Sequence, residues 1–263
     1  MNECITSKDN FRLKEYSKLV SGKQARKKTG KFPLEGFRLC EEAMKSGVVV
    51  EYLLISESFA ESHAEHMCEW EQKKIPVFVI TNSLARKISD TSGPQGVFAV
   101  CKQPAPFAME RLFGLQKILC LYDIQDPGNM GTIIRSADAF GFEAIVLSSG
   151  CCDLFSPKVL RSTMGSLFHL PFYFADDMYE FEQSMKEHGL ISAAAVVRNA
   201  DLSLGSCNLP KIHLLYIGNE GNGLPEAFSA LCKYRITLSM KGKAESLNAA
   251  MAAGILMWEM TKQ

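Results

Sequence analysis

The chain has 263 residues, 47% of them apolar and 22% charged, which suits two ordinary globular domains and excludes a disordered, collagenous or membrane-embedded chain. Basic and acidic residues balance at 29 each, and the nine cysteines, an odd number without a C-x-x-C pair, speak against a disulfide framework or a zinc ribbon and fit a reducing, cytoplasmic setting. The start lacks an apolar signal core, and the longest apolar stretch, Ala249 to Trp258, is too short to cross a bilayer.

The balance hides an asymmetry. Residues 1 to 31 hold nine Lys or Arg against Glu3, Asp9 and Glu15, so this arm carries +6 and the remainder −6. Such an arm meets a polyanionic partner or forms a solvated helical face. The pattern predicts a basic helix over Phe11 to Lys28, an acidic helix over Leu34 to Lys45 and a helix over Ala60 to Lys73. Strands are predicted at Val48 to Ile55, Pro76 to Ile80 and Gly96 to Cys101, together a small α/β domain. His63, His66 and Cys68 could share a helical face, but no fourth ligand has matching spacing and no metal site is expected. The prolines of Lys102-Gln103-Pro104-Ala105-Pro106 interrupt both helix and sheet, so domains are expected over 1–103 and 104–263.

Beyond the linker, strands at Lys117 to Tyr122, Glu143 to Leu147, Leu190 to Val197, Ile212 to Ile217 and Tyr234 to Leu238 alternate with helices. Helix starts are marked at Ser156-Pro157, Asp176-Asp177, Leu224-Pro225 and Ser246. The strands are mostly apolar, as in a parallel sheet covered on both faces. In the segment Asp126 to Gly141, Asn129 is the expected N-cap of a helix that turns Ile133, Ile134, Ala137 and Phe140 inward. Arg135 falls off that stripe, and a guanidinium beside a glycine turn at a strand's carboxyl end suits a phosphate or another oxyanion. Arg161, on a short helix after Ser156-Pro157, either assists such a contact or is an exposed helical charge.

Two later segments are rich in glycine or polar residues. Gly218-Asn219-Glu220-Gly221-Asn222-Gly223 lets backbone amides approach a ligand, with Glu220 as an acceptor; its spacing differs from the dinucleotide fingerprint, and an ordinary strand-to-helix turn looks the same. Ser246 and Asn248 precede the last helix, where free N–H groups favour a polar or anionic ligand, unless Ser246 serves only as an N-cap.

Taken in order, N-x-G-x-x-x-R-x-A (Asn129 to Ala137), I-G-N-E-G-x-G-L (Ile217 to Leu224) and M-x-G-x-x-x-S-L-N (Met240 to Asn248) resemble the three signature motifs of the SpoU or TrmH-type RNA ribose 2′-O-methyltransferases of the SPOUT superfamily. The first hundred residues resemble that family's substrate-binding domain through Ile5 to Asn10, Lys14, Arg26, Lys27, Phe32, Glu35-Gly36 and Pro94-Gln95-Gly96. The resemblance implies an α/β chain: a small RNA-binding domain followed by a parallel-sheet SPOUT domain with a deep trefoil knot, an exception to the unthreaded connections of most folds. It also implies S-adenosylmethionine as methyl donor, RNA, most often ribosomal RNA, as acceptor, a homodimer through the C-terminal domain, and no metal.

Carried over position by position, the resemblance gives catalytic roles to Asn129, Arg135, Glu220, Ser246 and Asn248, and donor contacts to Ala194, Ala195, Gly218, Asn219, Gly223, Leu238 and Leu247. It suggests RNA contacts at Asn10, Lys14, Arg26 and Lys27, to which the basic arm adds Lys23 and the short helix after Ser156-Pro157 adds Arg161. Where the family often has a Thr after the third strand, this chain reads Ala193-Ala194-Ala195-Val196, which leaves backbone contacts to the donor there. A catalytically inactive RNA-binding or ribosome-assembly factor on the same fold is the alternative.

Overall fold

The computed structural model describes residues 4–205 and 209–262. The chain divides into two compact units: one runs to Ala105 and takes in Phe155–Phe168, while the other holds Pro106–Leu154 and the chain from His169 onward. The Phe155–Phe168 segment, expected in the second domain, therefore groups with the first. Its physical reason is apolar burial, because the rings of Phe155 and Phe168 lie 5.0 and 6.1 Å from that of Phe32.

In the first unit, β1 (Cys4–Ile5) leads into α1 (Phe11–Ser21) and α2 (Lys23–Thr29). The expected single basic helix is thus two, parted by Gly22 in extended conformation. The N-terminal end of the expected acidic helix is instead a strand, β2 (Lys31–Glu35), and only α3 (Phe37–Lys45) is helical. Pro33 lacks an N–H, and β2 accommodates it by sitting at the sheet edge. There follow β3 (Val50–Ser56), α4 (Glu57–Ser62), α5 (Ala64–Gln72), β4 (Val77–Ile80), α6 (Asn82–Ile88) and β5 (Val97–Lys102). The sheet order is β1-β4-β3-β5-β2, with β5 antiparallel to both of its neighbours. One face of α1 buries Leu13, Tyr16 and Leu19 in a core with Leu54, Ile80 and Phe98.

The second unit is built on β6 (Ile118–Leu121), α7 (Pro127–Ala139) and β7 (Ala144–Ser148). After α8 (Pro157–Thr163), which belongs to the first unit, come β8 (Phe172–Ala175), α9 (Met178–Glu187), β9 (Ser192–Ala195) and β10 (Leu202–Leu204). The chain ends with β11 (Leu214–Ile217), α10 (Glu226–Ser229), β12 (Tyr234–Leu238) and α11 (Ala249–Met260). These strands form a seven-stranded sheet in the order β10-β12-β9-β11-β6-β7-β8. Every neighbouring pair is parallel. All residues of β6, β7 and β11 are buried, because helices cover both sheet faces.

Two helix starts differ from expectation. The cap of α7 is Asp126, whose Oδ1 accepts the Asn129 N–H at 2.8 Å while Pro127 takes the first helical position, so Asn129 lies inside the helix and its side chain is spared for other work. The cap of α11 is Asn248, accepting from the N–H groups of Ala250 and Met251 at 2.9 and 3.2 Å, which leaves Ser246 outside the helix.

Candidate active site

The strands β12, β9 and β11 lie side by side, so the segments that follow their carboxyl ends meet at one edge of the sheet. They enclose a cavity of about 710 Å³ lined by Ala195 at the end of β9 and Arg198 beyond it, by the turn Gly218 to Leu224 after β11, and by Leu238 at the end of β12 with Ser239, Met240 and Glu245 to Leu247 beyond it. That volume lies in the range of small-molecule and cofactor sites.

Three local devices shape it. A Cβ on Gly218 would sit 2.4 Å from both the carbonyl carbon of Gly223 and the nitrogen of Leu224, so the chain crosses itself here in backbone contact that only glycine permits. The Asn219 carboxamide holds the turn: its Oδ1 accepts from Gly221 and Asn222 N–H at 2.9 and 3.1 Å, and its Nδ2 donates to the Asp123 carbonyl at 2.8 Å. On the far side, Arg235 donates through Nε and Nη2 to the two oxygens of Asp201 at 3.1 and 2.7 Å, pinning the segment after β9 to β12. These bonds hold the Asp201 carboxyl below its ordinary pKa.

Beside the cavity runs a polar chain. Glu220 accepts from the N–H groups of Gln125 and Asp126, both at 3.0 Å, and from Asn129 Nδ2 at 3.1 Å. Asn129 Oδ1 in turn accepts from Asn248 Nδ2 at 2.9 Å. One carboxylate and two carboxamides thereby tie together the turn after β11 and the first turns of α7 and α11. Burial resists the charge on Glu220, but hydrogen bonds from Gln125, Asn129 and Asp126 outweigh it and hold the carboxyl below its ordinary range.

Ala195, Gly218, Asn219, Glu220, Gly223, Leu238, Ser246 and Leu247 all line the cavity. Ala194 does not: it is fully buried in the core with Cys120, Leu214 and Phe228, since alternate residues of a strand face opposite sides. Asn129 and Asn248 join through the polar chain. Arg135 stands exposed on α7, roughly 9 Å along the axis from Asn129, and makes no hydrogen bond or ion pair among the described residues.

The residues assigned to RNA separate into two groups. Lys14, Lys23 and Lys27 are exposed. Asn10 caps α1 by accepting the Arg12 N–H at 2.9 Å. Arg26, in contrast, is 5% exposed and donates to the carbonyls of Leu19 and Val20, closing the end of α1, so it is a structural residue rather than a phosphate contact. Arg161 pairs with Asp90 at 2.8 Å inside the first unit and is likewise engaged structurally. Linear reading passes over Asp201 with Arg235, which no local pattern announces, and Asp126, which the Asp-Pro signal of a helix start marks.

A mixed α/β unit and a parallel-sheet unit with a glycine-crossed cavity at its carboxyl edge define a two-domain α/β protein with a site of small-molecule size. The SpoU rRNA Methylase family model matches residues 116–258, and the MRM3-like substrate binding domain model matches residues 10–99. The chain belongs to the SpoU rRNA methylase family. It is 34% identical over 257 residues to the 23S rRNA (guanosine(2553)-2′-O)-methyltransferase RlmP of Bacillus subtilis (strain 168), covering 97% of this chain and 98% of that protein. The AdoMet-bound rRNA methyltransferase of Sinorhizobium meliloti has a similar structure, with a TM-score of 0.84 at 27% identity over 99% of this chain and 97% of that one. For the SpoU methyltransferase AviRb of Streptomyces viridochromogenes in complex with AdoMet the TM-score is 0.82 at 28% identity, over 97% and 98% of the two chains.

Proposed function

We propose that the protein transfers a methyl group from S-adenosylmethionine to a ribose 2′-hydroxyl in ribosomal RNA. The observation that carries this reading is the cavity at the Gly218 crossing: backbone from three segments converges there, leaving room for a nucleoside and no place for a Cβ. Ala195, Gly218, Asn219, Gly223, Leu238 and Leu247 would hold the donor, mainly through main-chain groups. When bound, that group would supply an electrophilic methyl on a sulfonium: its S–CH3 bond breaks as the O–CH3 bond forms, the donor leaves as the neutral thioether, and the 2′-hydroxyl proton passes to solvent.

The chain's own residues supply position and charge. Glu220 grips the N–H groups of Gln125 and Asp126, which sets the approach to α7, and the Asn129–Asn248 hydrogen bond registers α7 against α11. Arg135 orients the phosphate next to the acceptor ribose and stabilises negative charge on the attacking oxygen; a guanidinium is a donor and not a base in proteins. Ser246, at the cavity wall, offers a hydroxyl to the ribose. The segment from Leu238 through α11 is the part that would thread the trefoil knot.

A homodimer through the second unit completes the reading. Helix α11 exposes Met251 and Trp258, at 58% and 55%, and Phe140 of α7 lies 5.7 Å from the Trp258 ring. An apolar surface of this kind on a helix without a polar face calls for a partner, here a second copy. Among the described residues no helix is long and apolar enough to cross a membrane, and free thiols such as Cys40, Cys101 and Cys120 fit a reducing cytoplasm.

The test is methyl transfer from labelled donor to ribosomal RNA by the full-length protein and by Arg135→Ala. The substitution should reduce transfer by about a hundredfold or more while donor affinity, measured by calorimetry, stays the same. Full transfer by the variant would remove Arg135 from the mechanism, and absence of any donor heat from the parent protein would overturn the reading.

A further inference from the structure

The start of α1 carries a feature that donor binding and methyl transfer leave unused. Phe11, its first residue, is 64% exposed. A single exposed apolar side chain needs no explanation; the arrangement behind this one does. The guanidinium carbon of Arg12 lies 4.4 Å from the centre of the Phe11 ring and 3.7 Å from that of Phe78, so the cation is sandwiched between an exposed ring and one rooted in the core. Tyr52 meets Phe78 edge-on with centroids 6.2 Å apart, continuing the stack inward. Arg12 also faces the carboxylate of Glu15 one turn along, which hydrogen bonds from Lys31 and Tyr52 fix in place. Phe11 is therefore backed by a cation that also covers Phe78, which in turn meets the buried Tyr52.

The surroundings are cationic. Lys8, Lys14 and Lys18 are exposed on the same stretch, and Lys87 of α6 is close enough to act on the charge of Asp9. Asp9, the acid among them, pairs with Lys14 at 2.8 Å across solvent-exposed side chains, a contact of small worth that a phosphate can replace. Aromatic rings and guanidinium planes are the two side-chain surfaces on which unpaired bases stack, with basic groups following the backbone. A base inside a duplex has both faces covered by its stacked neighbours and cannot use such a ring.

We propose that Phe11, backed by Arg12, is a stacking platform for one unpaired base of the RNA substrate. The proposal rests on the reading of RNA as acceptor and adds that this unit recognises a single-stranded element rather than a duplex.

The experiment measures binding of full-length protein to a single-stranded RNA containing 2-aminopurine and to a fully paired duplex of equal length. Phe11→Ala is expected to weaken single-strand binding about tenfold, to leave duplex binding unchanged and to keep the salt slope, because stacking releases no counterions. Phe11→Trp should restore affinity and quench 2-aminopurine, whereas Phe11→Leu, apolar but without a ring, should stay weak. Unchanged single-strand affinity in Phe11→Ala, or equal losses for strand and duplex, would overturn the platform and make Phe11 a protein contact. Donor calorimetry on the same variants keeps the two readings apart, since the platform can fail in a protein that still binds donor.

Discussion

Glu220 and Glu182 show how two identical side chains acquire opposite dependence on pH. Glu182 of α9 is 2% exposed and accepts from Ser192 Oγ and, at 2.8 Å, from Tyr216 Oη, linking β9 to β11 within the core. Burial raises its pKa above the ordinary 4.5, and the hydrogen bonds from Ser192 and Tyr216 only partly offset that. Its protonated form is therefore favoured by folding, and stability is lost as pH rises from the unfolded value through the folded one. Glu220, with its pKa lowered, contributes stability that is present above the ordinary 4.5 and is lost as pH falls through the folded value. Thermal melts should show Glu182→Gln gaining on the parent as pH rises above about 4.5, and the deficit of Glu220→Gln shrinking as pH falls from about 5 to about 3; parallel curves within each variant's own window would refute the assignment. Linear reading places Glu220 at the site because its glycine neighbours flag it, and gives no sign of Glu182, whose importance comes from Ser192 and Tyr216, 10 and 34 residues away. Arg26 and Arg161 mark the converse limit, since a basic residue reads alike whether it faces water or closes a helix.

Helices and strands are legible in proportion to how strongly local chemistry decides them. The strands β6, β7 and β11 follow from continuous apolar runs, while β2, β8 and β10 lie at sheet edges, where Pro33 interrupts the pattern in β2 and half-exposed residues blur it in β8 and β10. At the start of α7 two polar residues compete for the cap, and Asp126 wins because Pro127 is suited to the first helical position and Asn129 is more useful one turn in. Replacing Asp126 by Ala should cost about 1 kcal/mol of stability by removing the cap. Because Glu220 grips the backbone N–H at this position and not the side chain, the variant should retain the Glu220 hydrogen bond and most of its donor affinity. Denaturant melts together with calorimetry check both halves, and a loss of donor binding larger than the loss of stability would mean that Asp126 touches the ligand.

At the scale of the whole chain the division of labour is electrostatic. The chain is neutral in sum, yet its first thirty-one residues concentrate positive charge, and the structure sorts those cations into exposed ones such as Lys23, Lys27 and Lys28 and the buried Arg26. Affinity for a polyanion depends on the exposed set through counterion release, and for a single strand the logarithmic salt slope becomes shallower by about 0.7 for each phosphate that is no longer neutralised. Changing Lys23, Lys27 and Lys28 together to Gln should therefore flatten the slope for single-stranded RNA by about 2, weaken RNA capture at low salt and leave both melting temperature and donor affinity unaltered. Arg26→Gln should do the reverse, destabilising the protein by leaving the Leu19 and Val20 carbonyls without their donor while the salt slope of the folded protein stays put. If the triple lysine variant kept the parent's slope, these lysines would be a solvated face only, and the anionic partner would have to be met by cations elsewhere on the chain.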